Sequence, residues 1–296
     1  TLFGEKVVMR LLDKGNLKLD MTKLGFEEDD LKVFREKINE PQGLVLVTGP
    51  TGSGKTVTLY SALQSLNDPQ INISTAEDPV EFNLDGINQV QVNADIGCDF
   101  ADALRSFLRQ DPDVVLVGEI RDLVTAQVAF KAASTGHLVL STLHTNDAPA
   151  TVSRLLDMGV APYVITSTVS LVIAQRLVGR ECERCKEPQK IEKSALIKAG
   201  VPEAETEEYE TMHGVGCANC NGSGVKGRIA MFEVMPMNDV LRDAILNNAG
   251  PVEIKRAAIR GGMRSLRQAG LMKMKKGEIS FEQLIAMTVA DEVATA

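Results

Sequence analysis

The residues GPTGSGKT at positions 49–56 have the types and spacing that bind phosphate groups. They fit the pattern G-x-x-x-x-G-K-[ST], they follow the apolar run Leu44–Val47, and a helical pattern begins at Lys55, which is the context that this motif requires. The backbone N–H groups of such a loop lie at a helix N-terminus, where anions are stabilised. Lys55 is expected to contact the β- and γ-phosphates, and Thr56 to ligate Mg²⁺. The alternative is a glycine-rich turn that binds nothing.

The sequence therefore predicts a site for a nucleoside triphosphate. The residues expected to form it are Gly49, Pro50, Thr51, Gly52, Ser53, Gly54, Lys55, Thr56 and Val57.

Two carboxylates are placed to act on that phosphate group. Ligands bind at the carboxyl ends of parallel strands, and Glu119 follows the apolar run Val114–Val117 whereas Asp113 precedes it. Glu119 is therefore predicted to lie on the magnesium side, acting through water, and its alternative is a solvated loop acid. Glu77, in STAEDPVEF (74–82), follows another strand-like run. It is a candidate to polarise the attacking water, although spacing alone leaves it open between this role and that of an ordinary loop acid.

Four of the five cysteines form two C-x-x-C pairs, CERC at 182–185 and CANC at 217–220. Two such pairs match a tetrahedral zinc site ligated by Cys182, Cys185, Cys217 and Cys220. Four protein ligands leave no open position, so the predicted Zn²⁺ is structural. A redox pair or plain buried thiols are the alternatives. The fifth cysteine, Cys98, fits no pattern and is predicted to be buried.

The elements that must position these residues alternate between apolar runs and helical patterns through the first 180 residues. Such alternation predicts an α/β fold with a mostly parallel sheet and helices on both faces. The strands are expected at 44–47, 71–75, 114–117 and 138–143, and the helices at 55–66, 100–109, 123–133 and 148–158, with Asp99 and Asp122 as N-caps. Asp85-Gly86 interrupts this rhythm and predicts a hairpin or arm over 83–93, and 164–174 is read as a buried helix.

Composition and charge set the limits of these predictions. The chain has 296 residues, 44% of them hydrophobic, which is enough for about two domains with a real core. A net charge of −8 disfavours a dedicated nucleic-acid binder, and no apolar run reaches the roughly 18 residues of a membrane span. The chain begins at Thr1, and the strand-like stretch FGEKVVMRLL (3–12) suggests a fragment that lacks its N-terminal part.

Four stretches resemble, in the same order, the motifs of the secretion-superfamily hexameric ATPases, the motors of type II secretion and type IV pili. The first is the phosphate loop; TAEDPVEF (75–82) resembles the Asp box, GEIRD (118–122) the atypical Walker B motif, and TGHLVLSTLHTND (135–147) the His box. The resemblance covers nearly the whole chain. ISTAEDPVE, GINQVQVN and LSTLHTNDAP are most similar to the pilus assembly ATPases (PilB type), and the type II secretion ATPases (GspE type) are close relatives.

The resemblance implies roles for single residues. Glu77 would be the catalytic glutamate and Glu119 the Walker B glutamate, with His137 and His144 near the γ-phosphate. Arg10 would come from the N-terminal domain and close over the phosphates. The further arginine candidates are Arg105 and Arg109, four apart on one predicted helix, and Arg121, and the segment Leu24, Gly25, Phe26 falls where the family contacts adenine. The family also has a zinc module at the cysteine pairs, which CNGSGVKGRIAMFEV (220–234) continues.

The function implied is that of a homo-hexameric motor that couples ATP hydrolysis to type IV pilus assembly through a platform protein of the inner membrane. It would be cytoplasmic, at the inner face of the cytoplasmic membrane, with peripheral contact to the membrane complex and no nucleic acid as partner. The alternatives are a type II secretion ATPase, a RecA-like nucleic-acid motor and a non-catalytic scaffold. The division implied by the resemblance is 1–20 as the end of an N-terminal, PAS-like domain plus linker, 21–180 as a RecA-like P-loop ATPase core that binds ATP or ADP, 181–230 as the zinc module and 231–296 as a C-terminal helical subdomain.

Overall fold

The computed structural model describes residues 2–8, 19–207 and 209–291. Its strands are β1 Gly43–Thr48, β2 Ile73–Glu77, β3 Asn88–Gln91, β4 Val114–Val117, β5 Leu138–Leu143, β6 Val169–Glu181, β7 Lys186–Gln189, β8 Thr211–Gly214 and β9 Val225–Pro236. Its helices are α1 Glu28–Ile38, α2 Lys55–Leu66, α3 Phe100–Phe107, α4 Leu123–Ser134, α5 Ala148–Asp157, α6 Pro162–Thr168, α7 Lys193–Lys198, α8 Asp239–Leu246, α9 Pro251–Arg260, α10 Leu266–Lys275 and α11 Phe281–Met287.

Within these ranges, seven strands form one sheet in the order β3-β2-β4-β5-β1-β6-β9. All neighbouring pairs from β3 to β6 are parallel, and β9 is antiparallel to β6. Parallel strands need crossover connections; helices supply them between the other consecutive strands of this part, whereas β2 and β3 are joined by the loop 78–87 without a helix. The carboxyl ends of β1, β2, β4 and β5 therefore lie at one edge of the sheet, which is where side chains that follow these strands can meet.

The sheet separates two apolar cores. Successive side chains of a strand point to opposite faces, and in β1 Leu44 and Leu46 belong to one core while Val45 and Val47 belong to the other. The first core contains buried residues of α3, α4 and α5, and the second contains those of α1 and α2. Helices thus cover both faces, so the predicted α/β class and mostly parallel sheet are confirmed.

Most of the predicted elements are present at their predicted places. The strands 114–117 and 138–143 and the helix 55–66 have the expected bounds, and the others differ by one to two residues at an end. Asp99 and Asp122 are N-caps, because their side chains accept hydrogen bonds from the backbone N–H groups of Asp102 and Thr125. The strand expected at 71–75 is displaced toward Glu77, which becomes the last residue of β2.

Three predictions about this part of the chain are wrong. The hairpin over 83–93 is absent, because β3 pairs with β2 in parallel and Asp85-Gly86 only turns the chain before β3. The stretch 164–174 is a helix only to Thr168, since its β-branched second half enters the sheet as β6. Cys98 is half-buried, and its backbone pairs with Asn93. The strand expected at 3–12 has no counterpart in residues 2–8, and the remainder lies outside the described residues.

The last part of the chain returns to the sheet before it becomes helical. β7 and β8 form an antiparallel pair beside the cysteines, and β9 then extends the main sheet. Helices α8–α11 follow, and α10 packs on β9. The buried Lys273 of α10 donates a hydrogen bond to the carbonyl oxygen of Gly25 at 2.7 Å, which ties the C-terminal helices to the segment before α1.

Among residues 2–8, 19–207 and 209–291, no helix is both long enough and apolar enough to cross a membrane.

Candidate nucleotide and metal sites

The loop 49–54 connects β1 to α2 and has backbone angles that favour glycine. Gly49 (φ +148°) and Gly54 (φ +89°) lie in the region that L residues rarely adopt. A Cβ atom on Gly49 would lie 2.4 Å from the carbonyl oxygen of Gln175, so β6 leaves no room for a side chain there. The loop thereby places its backbone close to the sheet and leads directly into the N-terminus of α2.

A cavity of about 960 Å³ opens beside this loop at the carboxyl edge of the sheet. Lys55 and Thr56 line it together with Glu77, Glu119, Arg121 and His144. Other lining residues come from the loop 49–54, from the acidic segment and from the opposite wall: Thr51, Gly52, Ser53, Gly54, Val57, Asp78, Pro79, Glu81, Leu19, Leu177 and Arg228. Residues that are distant in sequence are therefore brought together at this edge, as the motifs predict.

Lys55 folds back onto the phosphate loop. Its Nζ donates hydrogen bonds to the carbonyl oxygens of Gly49 at 2.9 Å and Pro50 at 3.2 Å. Burial lowers the pKa of Lys55, and the nearby Glu119 carboxylate opposes that shift. The hydroxyl of Ser53 is buried and has no hydrogen-bond partner within the described part of the chain. A loop that contains a cation and an unsatisfied donor fits an anionic phosphate ligand.

Glu119 follows β4 at the predicted edge, whereas Asp113 precedes β4 and accepts a hydrogen bond from the backbone N–H of Asn72 at 2.7 Å. Glu119 forms an ion pair with Arg121, and its Oε2 lies 3.4 Å from Nε2 of His144. Burial and the neighbouring Lys55 lower the pKa of His144, which favours the neutral imidazole. The carboxylate of Glu119 is 13% exposed, so it remains accessible from the cavity.

Glu77 ends β2 and is 4% exposed. Its Oε1 accepts hydrogen bonds from Oγ1 of Thr75 at 2.5 Å and from Nε2 of Gln89 at 3.2 Å. Its Oε2 accepts one from the hydroxyl of Tyr60 on α2. Sequence reasoning missed these three partners. The available signal was weak: Tyr60 and Gln89 are polar residues at positions that the element pattern makes buried or half-buried.

The structure places several predicted residues away from the cavity. His137 precedes β5 at the amino edge of the sheet, and its Nδ1 lies 3.0 Å from the carbonyl oxygen of Ala132. It is about 20 Å from His144, because the six-residue strand separates them. The prediction that both histidines lie near the γ-phosphate is therefore wrong for His137.

Two of the arginine candidates are also outside the cavity. Arg105 pairs with Asp102 at 2.8 Å on the exposed side of α3. Arg109 follows the end of α3, so the two arginines do not share one helix as predicted. Arg121 is the candidate that lines the cavity, and Arg10 lies outside the described residues.

The segment Leu24, Gly25, Phe26 does not line the cavity, contrary to its predicted contact with adenine. Phe26 stacks on Phe232 of β9, with ring centroids 3.5 Å apart, and packs against Phe34. Apolar burial against β9 therefore accounts for this segment in the structure. The wall of the cavity nearest the end of β6 is formed by Leu19, Leu177 and Arg228 instead.

The four paired cysteines form a compact group in which all the sulfur atoms lie within 4.8 Å of one another. The Sγ–Sγ distance is 3.9 Å for Cys182 and Cys217, 3.8 Å for Cys185 and Cys220, and 3.7 Å for Cys217 and Cys220. Four sulfurs at about 2.3 Å from one zinc ion would lie about 3.8 Å apart. The group therefore fits a tetrahedral Zn²⁺.

The surroundings of the cysteines support the same assignment. The backbone N–H of Cys217 donates to Sγ of Cys220 at 3.1 Å, and Nδ2 of Asn219 donates to Sγ of Cys182 at 3.5 Å. Such donors stabilise thiolates and orient metal ligands. A Cβ on Gly214 would lie 2.0 Å from the carbonyl oxygen of Gly224, so the chain passes between the two cysteine turns with no space for a side chain.

Comparison with known families gives one match along nearly the whole chain. A family described as "Type II/IV secretion system protein" matches residues 1–286. The chain is 59% identical over 292 residues to the "Type IV pilus assembly ATPase PilB" of Myxococcus xanthus. The aligned region covers 98% of this chain and 52% of that protein. It is 47% identical over 285 residues to the "Type II secretion system ATPase E" of Vibrio cholerae, with coverages of 96% and 56%. The chain thus spans about half the length of these relatives.

Solved structures show the same fold. The crystal structure of the pilus retraction motor PilT with bound ADP has a TM-score of 0.68 and 30% identity, and the match covers 91% of this chain and 66% of that one. The ATPase DotB of Legionella pneumophila has a TM-score of 0.66 and 26% identity, with coverages of 90% and 64%.

Proposed function

The chain belongs to the type II/IV secretion system protein family, and we propose that it is the ATP-hydrolysing part of a motor that drives type IV pilus assembly. The observation that carries the proposal is its identity to pilus assembly ATPases, which is 59% for the Myxococcus xanthus protein against 44–47% for four type II secretion relatives. Type II secretion is the second candidate, because relatives of both kinds match almost the whole chain at 44–49% identity.

The loop 49–57 would bind the phosphates of ATP. Its backbone N–H groups and the N-terminus of α2 attract the negative charge, and the unsatisfied hydroxyl of Ser53 offers one more donor. Lys55 would leave the carbonyl oxygens of Gly49 and Pro50 and turn to the β- and γ-phosphates. Thr56 and Glu119 would hold Mg²⁺, which neutralises the charge that develops on the phosphate oxygens.

Glu77 would be the general base that polarises the attacking water. It lies at the same strand edge as Glu119 and lines the same cavity. His144 and Arg121 flank Glu119, so they are placed to respond to charge on the γ-phosphate. Leu19, Leu177 and Arg228 form the wall on which we propose that the adenine packs.

The motor would be a homo-hexamer at the cytoplasmic face of the cytoplasmic membrane, working on a platform protein of the inner membrane. We propose that Arg10, in the N-terminal segment 1–20, closes over the phosphates of the ATP-bound subunit. The core 21–180 would supply most of the nucleotide site, with Leu19 and Arg228 added from the segments on either side, while 181–230 would form the zinc module and 231–296 the C-terminal helical part. Because β9 crosses the boundary at 230, motion of the core would be transmitted to the helices through the sheet.

Cys182, Cys185, Cys217 and Cys220 would hold Zn²⁺, which supplies a structural crosslink between the two cysteine turns. The four ligands leave no position for a substrate. Zinc therefore has no part in the proposed hydrolysis.

Two substitutions test the assignment of the nucleotide site. Lys55→Ala is expected to weaken ATP binding, because the charge that faces the phosphates is lost. Glu77→Gln is expected to retain ATP affinity and to lower kcat by about 10²–10⁴-fold, because an amide is a poor base. Nucleotide titration and steady-state hydrolysis measure the two effects separately, and full turnover by the Glu77→Gln protein would move the role of base to another acid.

The cellular role is tested by complementation with the full-length gene. In its source organism, deletion is expected to abolish surface pili, and restoration should require Lys55. Loss of protein secretion with normal pili would instead support the type II secretion function.

A further inference from the structure

The carboxylate of Glu77 has one acceptor position left over. A carboxylate offers about four lone-pair positions, two on each oxygen. Oε1 accepts from Thr75 at 2.5 Å and from Gln89 at 3.2 Å, and therefore has both of its positions used. Among the residues that the structure describes, Oε2 accepts only from the hydroxyl of Tyr60. The remaining position belongs to Oε2, the oxygen that Tyr60 contacts.

Packing holds Tyr60 in place, so its hydroxyl determines the direction of the unused acceptor position on Oε2 of Glu77. It is 1% exposed, and the ring of Phe82 meets its ring edge-on at 4.6 Å with an interplanar angle of 73°. Gln89 contacts both Glu77 and Tyr60, since its Nε2 lies 3.2 Å from Oε1 of Glu77 and 3.4 Å from the hydroxyl of Tyr60. Burial, together with the hydrogen bond to Glu77, raises the pKa of Tyr60, so that its hydroxyl remains a donor at neutral pH.

The same helix carries the phosphate-binding lysine and this tyrosine. α2 begins at Lys55, and Tyr60 lies five residues later on its buried side. The helix thus connects the loop that would hold the γ-phosphate with the group that orients the base. A rigid helix keeps these two positions at a constant separation.

We propose that Tyr60 is a positioning residue for Glu77, directing the last free lone pair of Oε2 toward a single water molecule next to the γ-phosphate. This inference rests on the proposed role of Glu77. As the water oxygen bonds to phosphorus, one water proton passes to Oε2, and the bond from phosphorus to the leaving ADP oxygen breaks, with the electron pair remaining on ADP. Without the hydroxyl of Tyr60, two positions on Oε2 are open and the water is no longer confined to one direction.

The test compares Tyr60→Phe with Tyr163→Phe, which removes the same atom from a side chain that is 68% exposed. Tyr60→Phe is expected to lower kcat by about 10–100-fold, the size of effect that small misplacements of a reacting group produce. The KM and Kd for ATP should stay within about twofold, because the removed hydroxyl bonds to Glu77 and the ring that lines the cavity is retained. Tyr163→Phe should change neither quantity.

A double substitution separates positioning from a merely structural role. If Tyr60 acts through Glu77, Tyr60→Phe has no further effect on kcat in the Glu77→Gln background, since residues that act as a unit are not additive. An additive loss, a parallel loss of ATP affinity or an unchanged kcat for the single variant would each overturn the inference. Full turnover by Glu77→Gln alone would instead contradict the proposed function, whatever Tyr60→Phe does.

Discussion

The nucleotide site and the cysteine cluster are built in different ways. The nucleotide site collects Lys55, Glu77, Glu119 and His144 from the ends of four strands, and it exists only because β1, β2, β4 and β5 are parallel neighbours. The cysteine cluster is formed by two short turns that the β7–β8 pair brings together, and its four sulfurs complete a tetrahedron by themselves. One site depends on the whole fold and remains open, whereas the other is local and closed.

This difference separates polar groups that are available to bind a ligand from groups that satisfy one another and stabilise the fold. The open site contains polar groups that a ligand could satisfy. In the described part of the chain the hydroxyl of Ser53 has no hydrogen-bond partner, and the ammonium group of Lys55 donates to the backbone carbonyl oxygen of Gly49. Within the described residues the cysteine cluster shows no such reserve, because each of its four sulfur atoms has another sulfur within 4 Å. We therefore expect substitutions to affect the two sites independently.

The largest expected effect comes from removing Arg10, the arginine that we propose completes the nucleotide site. Arg10→Ala is expected to lower kcat by about 10³–10⁵-fold, the range for an arginine that stabilises a phosphoryl transition state. ATP affinity should fall far less, because the arginine acts when the subunit closes. Steady-state hydrolysis by the assembled protein, together with nucleotide titration, measures both quantities.

Arg35→Ala, an exposed position on α1, is the matched control and should leave turnover unchanged. The zinc content of both variants should remain at one per chain. Equal losses of turnover and affinity in Arg10→Ala would identify Arg10 as an ordinary binding contact, and the nucleotide site would then be complete without it.

The second effect concerns the closed site. Cys217→Ser is expected to release the zinc ion, because three thiolates and a hydroxyl no longer complete the tetrahedral set. Residues 181–230 should lose protection from hydrogen exchange, while the affinity for ATP stays within about twofold. Metal analysis of the pure, reduced protein gives the zinc content, and hydrogen exchange localises the loosened region.

Cys98→Ser is the control, since Cys98 lies outside the cluster near β3 and should leave the metal in place. A wild-type protein without zinc in a chelator-free preparation would refute the Cys₄ assignment. If zinc is present but Cys217→Ser abolishes ATP binding, the two sites are not independent.

Sequence reasoning succeeded where a local pattern determines the structure. The bounds of α2, the N-caps Asp99 and Asp122, and the grouping of the cysteines follow from short-range rules of spacing and side-chain chemistry. The position of Glu119, rather than Asp113, at the carboxyl edge of the sheet also follows from strand direction alone, while its role toward magnesium stays a prediction.

The errors arise where long-range packing decides. His137 belongs to the same motif as His144, yet the strand between them places it at the opposite edge. Phe26 packs on Phe232, a contact across more than 200 residues that no local pattern contains. The partners of Glu77 were missed for the same reason, since Tyr60 and Gln89 reach it from other elements.

β9 is the element that connects the two regions. It follows the second cysteine turn, joins the sheet beside β6 and carries Glu233 opposite Ala174 of β6. Glu233 is 1% exposed and accepts hydrogen bonds from the first residues of two helices, Ala148 of α5 at 2.7 Å and Leu266 of α10 at 3.1 Å. Burial raises the pKa of Glu233 to about 7, although these two N–H groups oppose the shift.

The smallest expected effect is a pH dependence that this carboxyl group imposes on stability. The folded protein holds the proton up to about pH 7, and the unfolded chain releases it near the ordinary value of 4.5. Tighter binding of this proton by the folded protein therefore stabilises the fold. The stabilisation is fully present below pH 4.5, is lost as pH rises through 7, and amounts to on the order of 3 kcal/mol in all. Glu233→Gln stays neutral at every pH. Its free energy of unfolding should be lower than that of wild type by a constant amount for the lost acceptor, and the difference from wild type should shift in favour of the variant between pH 5 and 7.5. The exposed Glu36→Gln should show no such slope in denaturant titrations, and a flat difference for Glu233→Gln would mean that the two helix N-termini keep this carboxylate ionised.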